Sequence, residues 1–147
     1  HVRFIEFMPF EGNRWTSNKV FTMDEILSTI AEKYPIVPLQ AEKHDTAKKF
    51  MVPGHQGTFA VISTMSAHFC GDCNRMRLTA DGKMKNCLFS KDEVDLLTPL
   101  RKGEEVLPLI HQSIAAKAAQ LGGQFTQDYQ HLQAEHIQNR SMITIGG

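Results

Sequence analysis

The 147 residues of this chain suffice for one domain with a proper core, and 16 Lys and Arg balance 16 Asp and Glu. A formal net charge of zero leaves no electrostatic footprint for DNA or RNA. No stretch approaches the uninterrupted apolar length of a membrane span, no signal-peptide pattern opens the chain, and three clustered cysteines fit a reducing interior, so the cytoplasm is the expected compartment.

Val2 to Met8 is rich in Phe, Ile and Val and reads as a largely buried strand, ended by Pro9. A polar loop follows from Phe10 to Trp15. Thr22-Met23-Asp24-Glu25 is a capping box, and Ile26, Leu27 and Ile30 form a helical apolar stripe. That helix should run to about Tyr34, where Pro35 stops it. One such β-loop-α unit cannot close a barrel. Ile36–Leu39, broken by Pro38, is at best an edge strand. Lys48–Val52 and Thr58–Thr64 are expected strands, joined by the turn-rich stretch Pro53–Gly57. His44 and His55 lie in polar settings and are expected on the surface.

Past residue 89 the pattern turns helical. Ser90–Glu93 offers a helix N-terminus, and Val94, Leu96, Leu97 and Leu100 give a short amphipathic run that Gly103 breaks. Glu104 to about Gln120 is the clearest predicted helix, with Val106, Leu107, Ile110, Ile114, Ala118 and Leu121 at helical spacing. Gly122-Gly123 is its expected C-cap. Residues 124–141 are polar and expected to be irregular. The tail, Met142 to Gly147, turns apolar and ends on two glycines, which can thread a channel where any Cβ would clash.

The only three cysteines fall as Cys70-x2-Cys73-x13-Cys87. The two-residue gap lets two thiolates converge. A hairpin over Leu78–Met84, turning at Asp81-Gly82, would carry Cys87 back beside them. Three thiolates are one short of the usual set for a structural zinc or a [4Fe–4S] cluster. Two readings follow: His68 closes a zinc site in an interaction module, or a cubane sits on three cysteines with one iron open. A third class, a small electron carrier, lacks a fourth cysteine. Arg75 and Arg77, two apart on an expected strand, would share a face and make a fork suited to phosphate or carboxylate.

The stretch Met65 to Gly82, with Cys87-Leu88-Phe89, closely resembles the C-terminal region of the GTP 3′,8-cyclases. These are the radical S-adenosylmethionine enzymes that begin molybdenum cofactor synthesis. The likeness extends to Arg3–Phe10, Thr46-Ala47-Lys48, Pro53-Gly54 and Gly146-Gly147. The resemblance implies a second [4Fe–4S] cluster on Cys70, Cys73 and Cys87. It implies GTP binding by Arg75, Met76 and Arg77, contact of Met8 with S-adenosylmethionine, and a tail whose Gly146 and Gly147 reach the active site. A first cluster and S-adenosylmethionine would start the reaction by taking hydrogen from the ribose C3′ of GTP, so that C3′ bonds to C8. Cyclic pyranopterin monophosphate synthase would take the product, and a homodimer is compatible with the pattern.

The C-x3-C-x2-C motif that holds the family's first cluster is not in this chain. The chain is therefore expected to be a C-terminal fragment, inactive alone. The expected fold is α+β: one late β-α unit of a partial TIM-type barrel over residues 1–40, then a mostly antiparallel sheet with helices. The second part, residues 41–147, would carry the second cluster and GTP.

Overall fold

The computed structural model describes residues 1–125 and 128–145. Strands β1 (Val2–Ile5), β2 (Val37–Pro38), β3 (Lys48–Met51) and β4 (Thr58–Ile62) form a mixed sheet in the order β1-β4-β3-β2. β1 is parallel to β4, with Val2 opposite Phe59 and Ile5 opposite Ile62; β3 is antiparallel to both its neighbours. Strands β5 (Arg77–Leu78), β6 (Lys83–Lys85) and β7 (Val94–Asp95) make a second sheet, antiparallel throughout. Helices α1 (Met23–Ala31), α2 (Leu97–Arg101), α3 (Leu107–Ala115) and α4 (Met142–Ile145) complete an α+β fold. The first sheet runs across the division expected at residue 40.

The capping box forms as read. Thr22 accepts from the Glu25 N–H, and the Glu25 carboxylate accepts from Thr22 N at 2.7 Å, satisfying two N–H groups that the helix itself leaves unpaired. α1 then buries Ile26, with Leu27 and Ile30 beside it, against Phe50, Phe59 and Val61 of the mixed sheet. Phe50 and Phe59 are cross-strand partners stacked at 5.3 Å between centroids. β2 takes the sheet's far edge, where Pro38 is tolerated.

Three expectations are corrected. β1 is not buried: all four residues are exposed, Val2 and Ile5 by more than half, because this edge strand pairs on one side only. Residues 94–95 form a strand, and the helix starts only at Leu97, with Pro99 in its first turn where a missing N–H is harmless. α3 is shorter than Glu104–Gln120, starting beside Pro108 and ending at Ala115. Its buried residue is Ser113, whereas Leu107 and Ile114 are about half exposed, at 49% and 51%. Of the expected apolar stripe, Val106, Ile110 and Ala118 are half-buried and Leu121 is buried, while Leu107 and Ile114 face outward. Among the described residues of 124–141, the chain is irregular as expected, apart from 3-10 turns at Tyr129–His131 and Ala134–His136. Gly146 and Gly147 lie outside the described residues.

A second core gathers Phe10, Trp15, Val20, Met65, Phe89, Leu121 and Ile145 from distant parts of the chain. Glu6 ties this core to the mixed sheet. Its side chain, 1% exposed, accepts from Met23 N at 2.8 Å, Met65 N at 2.7 Å, Ser66 N at 2.8 Å and the Ser66 hydroxyl. The C-terminal segment is pinned by Arg140, which reaches Asp81 at 3.0 Å and also Glu93. Glu93 in turn faces the buried Lys85 ammonium at 3.5 Å, whose affinity for its proton burial lowers and Glu93 restores in part.

Two predictions follow from these ties. Glu6→Ala strips three backbone N–H groups of their acceptor, at about 1–3 kcal/mol each, so urea unfolding should show a loss of about 3 kcal/mol or more. Hydrogen bonds from Arg140 and Thr79 hold Asp81 well below the usual carboxylate range in the folded state. A depressed folded value means stability that is present above the unfolded value of about 3.9 and lost as pH falls below it. Thermal unfolding followed from pH 6 to 2 should therefore show a steeper acid loss in the parent than in Arg140→Ala.

Candidate functional site

Cys70 opens a 3-10 turn over Cys70–Asp72, closed by Cys73 N donating to the Cys70 carbonyl at 3.2 Å. The chain therefore turns back within three residues. Beyond it, β5 and β6 form the expected hairpin. Gly82 takes φ of 76° in the turn, its N–H donating to Thr79 O at 2.9 Å, and Thr79 N donates to Lys83 O at 2.9 Å. Two residues past β6 comes Cys87. All three thiols line one cavity together with Arg75, Arg77 and His68. Met8 and Met76 are not among its described lining; Met8 packs on the second core, its carbonyl taken by Asn13 at 2.7 Å.

The two arginines reach the cavity differently from the strand-face expectation. Only Arg77 lies in β5; Arg75 sits in the stretch before it. Arg75 is oriented instead by side-chain chemistry, donating from Nη2 to the Thr46 hydroxyl at 2.9 Å. The surrounding loop is braced from two directions. Exposed His44, at φ of 71°, donates through Nδ1 to the Asp72 carbonyl at 2.5 Å, while Lys117 Nζ donates to the Arg75 carbonyl at 2.8 Å. Lys117 Nζ also stands 3.8 Å from Cys73 Sγ.

The sulfurs sit in a mixed field. Burial pushes the Cys70 thiol up, the Leu121 N–H at 3.4 Å pulls it down, charge on Cys87 and Cys73 raises it, and Lys117 opposes them. Three thiolates in one cavity need compensating positive charge, which a soft metal centre supplies while displacing their protons. Among the described residues, no three His, Cys, Asp or Glu side chains stand close enough to share one metal ion. A zinc set of three cysteines and His68 would put every ligand atom about 2.0–2.3 Å from one centre, and that convergence is not formed. An iron–sulfur cubane takes its ligands on separate iron corners and so does not require that single point of convergence.

His44 and Lys117 act on the site without a motif to mark them, whereas Thr46 falls in the Thr46-Ala47-Lys48 likeness and Leu121 in the apolar pattern, neither of which points to a contact with the thiols or with Arg75. Gly122 explains how Leu121 comes so near. A Cβ there would sit 2.6 Å from the Phe89 carbonyl oxygen and the Ser90 nitrogen, so the two backbones touch only because position 122 is glycine. Gly122 is thus a contact point at φ of 64° rather than the C-cap of α3.

The fold and site define an α+β domain that presents thiols and guanidinium groups to one cavity. Residues 1–122 match the family model described as Molybdenum Cofactor Synthesis C, and the chain belongs to that family. It is 44% identical to molybdenum cofactor biosynthesis protein 1 of Mus musculus, over 99% of this chain and 22% of that protein. It is 40% identical to the mitochondrial GTP 3′,8-cyclase of Arabidopsis thaliana, over all of this chain and 37% of the relative. Identity to the GTP 3′,8-cyclase of Alkaliphilus oremlandii is 36%, over 99% and 43%. The chain spans less than half the length of each of these relatives. No helix among the described residues is long and apolar enough to cross a membrane.

Gly122→Ala tests the close approach. Its Cβ meets backbone, which cannot swing aside, and its φ is unfavourable for alanine. Thermal unfolding should show a loss of about 2 kcal/mol or more.

Proposed function

We propose that this chain is the C-terminal part of a GTP 3′,8-cyclase of molybdenum cofactor synthesis. Cys70, Cys73 and Cys87 would hold a [4Fe–4S] cluster, and Arg75, Met76 and Arg77 would bind GTP. The observation that carries the reading is the meeting of three thiols and two guanidinium side chains on one cavity, in a chain whose relatives include proteins named GTP 3′,8-cyclase.

The cluster, when bound, supplies an iron corner that no cysteine occupies and that is open to the guanine. The chain's own residues bind and orient. The Leu121 N–H and the Lys117 ammonium offset negative charge at Cys70 and Cys73. Arg75, aimed by Thr46, and Arg77 present charge-assisted donors to the triphosphate. Anchoring a nucleotide at base and phosphate fixes its ribose between them, which brings C3′ and C8 into reacting position.

In the intact enzyme, β1 and α1 would be the last strand-helix unit of a barrel, and a neighbouring strand would cover Val2, Phe4 and Ile5. Met8 would meet S-adenosylmethionine beside a first cluster, and Gly146 and Gly147 would reach the same pocket. This chain, without the C-x3-C-x2-C motif, would be inactive alone. Its unpaired thiols suit a reducing compartment such as the cytoplasm. The product would pass to cyclic pyranopterin monophosphate synthase.

Anaerobic reconstitution followed by elemental analysis tests the reading. The expected result is about four iron and four sulfide per chain, reduced by Cys70→Ser, Cys73→Ser or Cys87→Ser; stoichiometric zinc without sulfide would sink it. With the cluster in place, Arg77→Ala should raise the Kd for GTP about ten- to hundredfold, the worth of one charge-assisted contact.

A further inference from the structure

His68 carries the least satisfied polar group of the described chain. Both its ring nitrogens are buried, and among the described residues they alone are buried side-chain nitrogen or oxygen atoms with no hydrogen-bond partner. Leaving such a group unpaired costs about 1–3 kcal/mol, and native structures seldom tolerate it without a ligand or solvent molecule to answer it. The ring lines the cavity that holds the three thiols.

The backbone on both sides of His68 is fastened. Ahead of it, Met65 N and Ser66 N donate to Glu6, and Ser63 Oγ donates to the Ala67 carbonyl at 2.9 Å. Behind it lies the 3-10 turn that starts at Cys70. The backbone that carries the imidazole is therefore fixed on both sides of the cavity wall. In its neutral form an imidazole carries one N–H donor and one acceptor nitrogen. A donor facing a sulfur-lined cavity needs an acceptor, and the acceptors a cluster would bring are its electron-rich sulfurs.

We propose that His68 donates a ring N–H hydrogen bond to a sulfur of the cluster held by Cys70, Cys73 and Cys87, and so raises the reduction potential of that cluster. The inference rests on the cluster reading above. His68 is then a positioning residue and not a ligand. The bond strengthens when reduction adds negative charge to the sulfur, so it favours the reduced state. This differs from the zinc expectation, in which the same ring would bind metal directly.

The test uses the anaerobically reconstituted chain and three variants: His68→Ala, His68→Phe, which keeps a flat ring without a donor, and His68→Gln, which restores an N–H. Iron content and a redox titration followed by visible and electron paramagnetic resonance spectra are the readouts. The expected result is parent-level iron in every variant. At fixed potential, the reduced-to-oxidised ratio should fall about tenfold in His68→Phe, equal to about 59 mV for one electron, with recovery in His68→Gln. An unchanged potential in fully loaded His68→Phe would overturn the proposal while leaving the cluster reading intact. Loss of iron in folded His68→Phe and His68→Gln would overturn it in favour of direct ligation. Failure of the parent chain itself to take up iron and sulfide would remove both readings together.

Discussion

A single buried carboxylate holds the two halves of the architecture in register. Glu6 follows the last residue of β1 and turns its side chain into the interior, where it collects the N-terminal Met23 N–H of α1 and the Met65 and Ser66 N–H groups. A charge at that depth is tolerated only when donors surround it. A helix N-terminus adds a favourable dipole. Because one of its partners is the first residue of α1 and the others begin the run to Cys70, the same group sets both the helix on the sheet and the approach to the thiols. The mixed sheet therefore acts on the cavity at a distance, through one anion.

The cavity itself is assembled from segments that fold by different rules. The 3-10 turn and the hairpin are local and carry Cys70, Cys73 and Cys87 to one cavity. The wall that faces them is not local. Lys117 and Leu121 come from the end of the α3 region, and they reach the sulfurs because glycine at 122 lets one backbone lie against another. Arg140 fastens the following segment to Asp81 in the turn between β5 and β6 and to Glu93 just before β7. Local turns thus supply the thiols, and long-range contacts supply their surroundings.

What could be read from the chain follows the same divide. The capping box, the edge strand at Pro38 and the Asp81-Gly82 turn are written in adjacent residues, and each formed as read. The cysteines, Arg75 and Arg77 line one cavity. Periodicity misled where tertiary contacts decide burial. Residues 104–121 carry apolar side chains at helical spacing, yet Pro108 fixes the start and the sheet-facing side is the one with Ser113. β1 looked buried from composition, but burial depends on what covers a strand. Thr46 falls in a stretch of the family likeness, but a hydroxyl 29 positions from its arginine leaves no pattern that pairs the two, and His44 has no signal at all.

The hydrogen bond between Thr46 and Arg75 has a thermodynamic meaning for any polyanion that enters. An arginine that must be immobilised on binding gives up about 0.5–1.5 kcal/mol of rotameric freedom at that moment. Here the guanidinium is tethered by a hydroxyl that is itself buried, and its backbone carbonyl is clamped by Lys117. Part of that entropy is surrendered when the chain folds. A polyanion bound there would meet a template already cast, and more of the electrostatic attraction would survive as affinity.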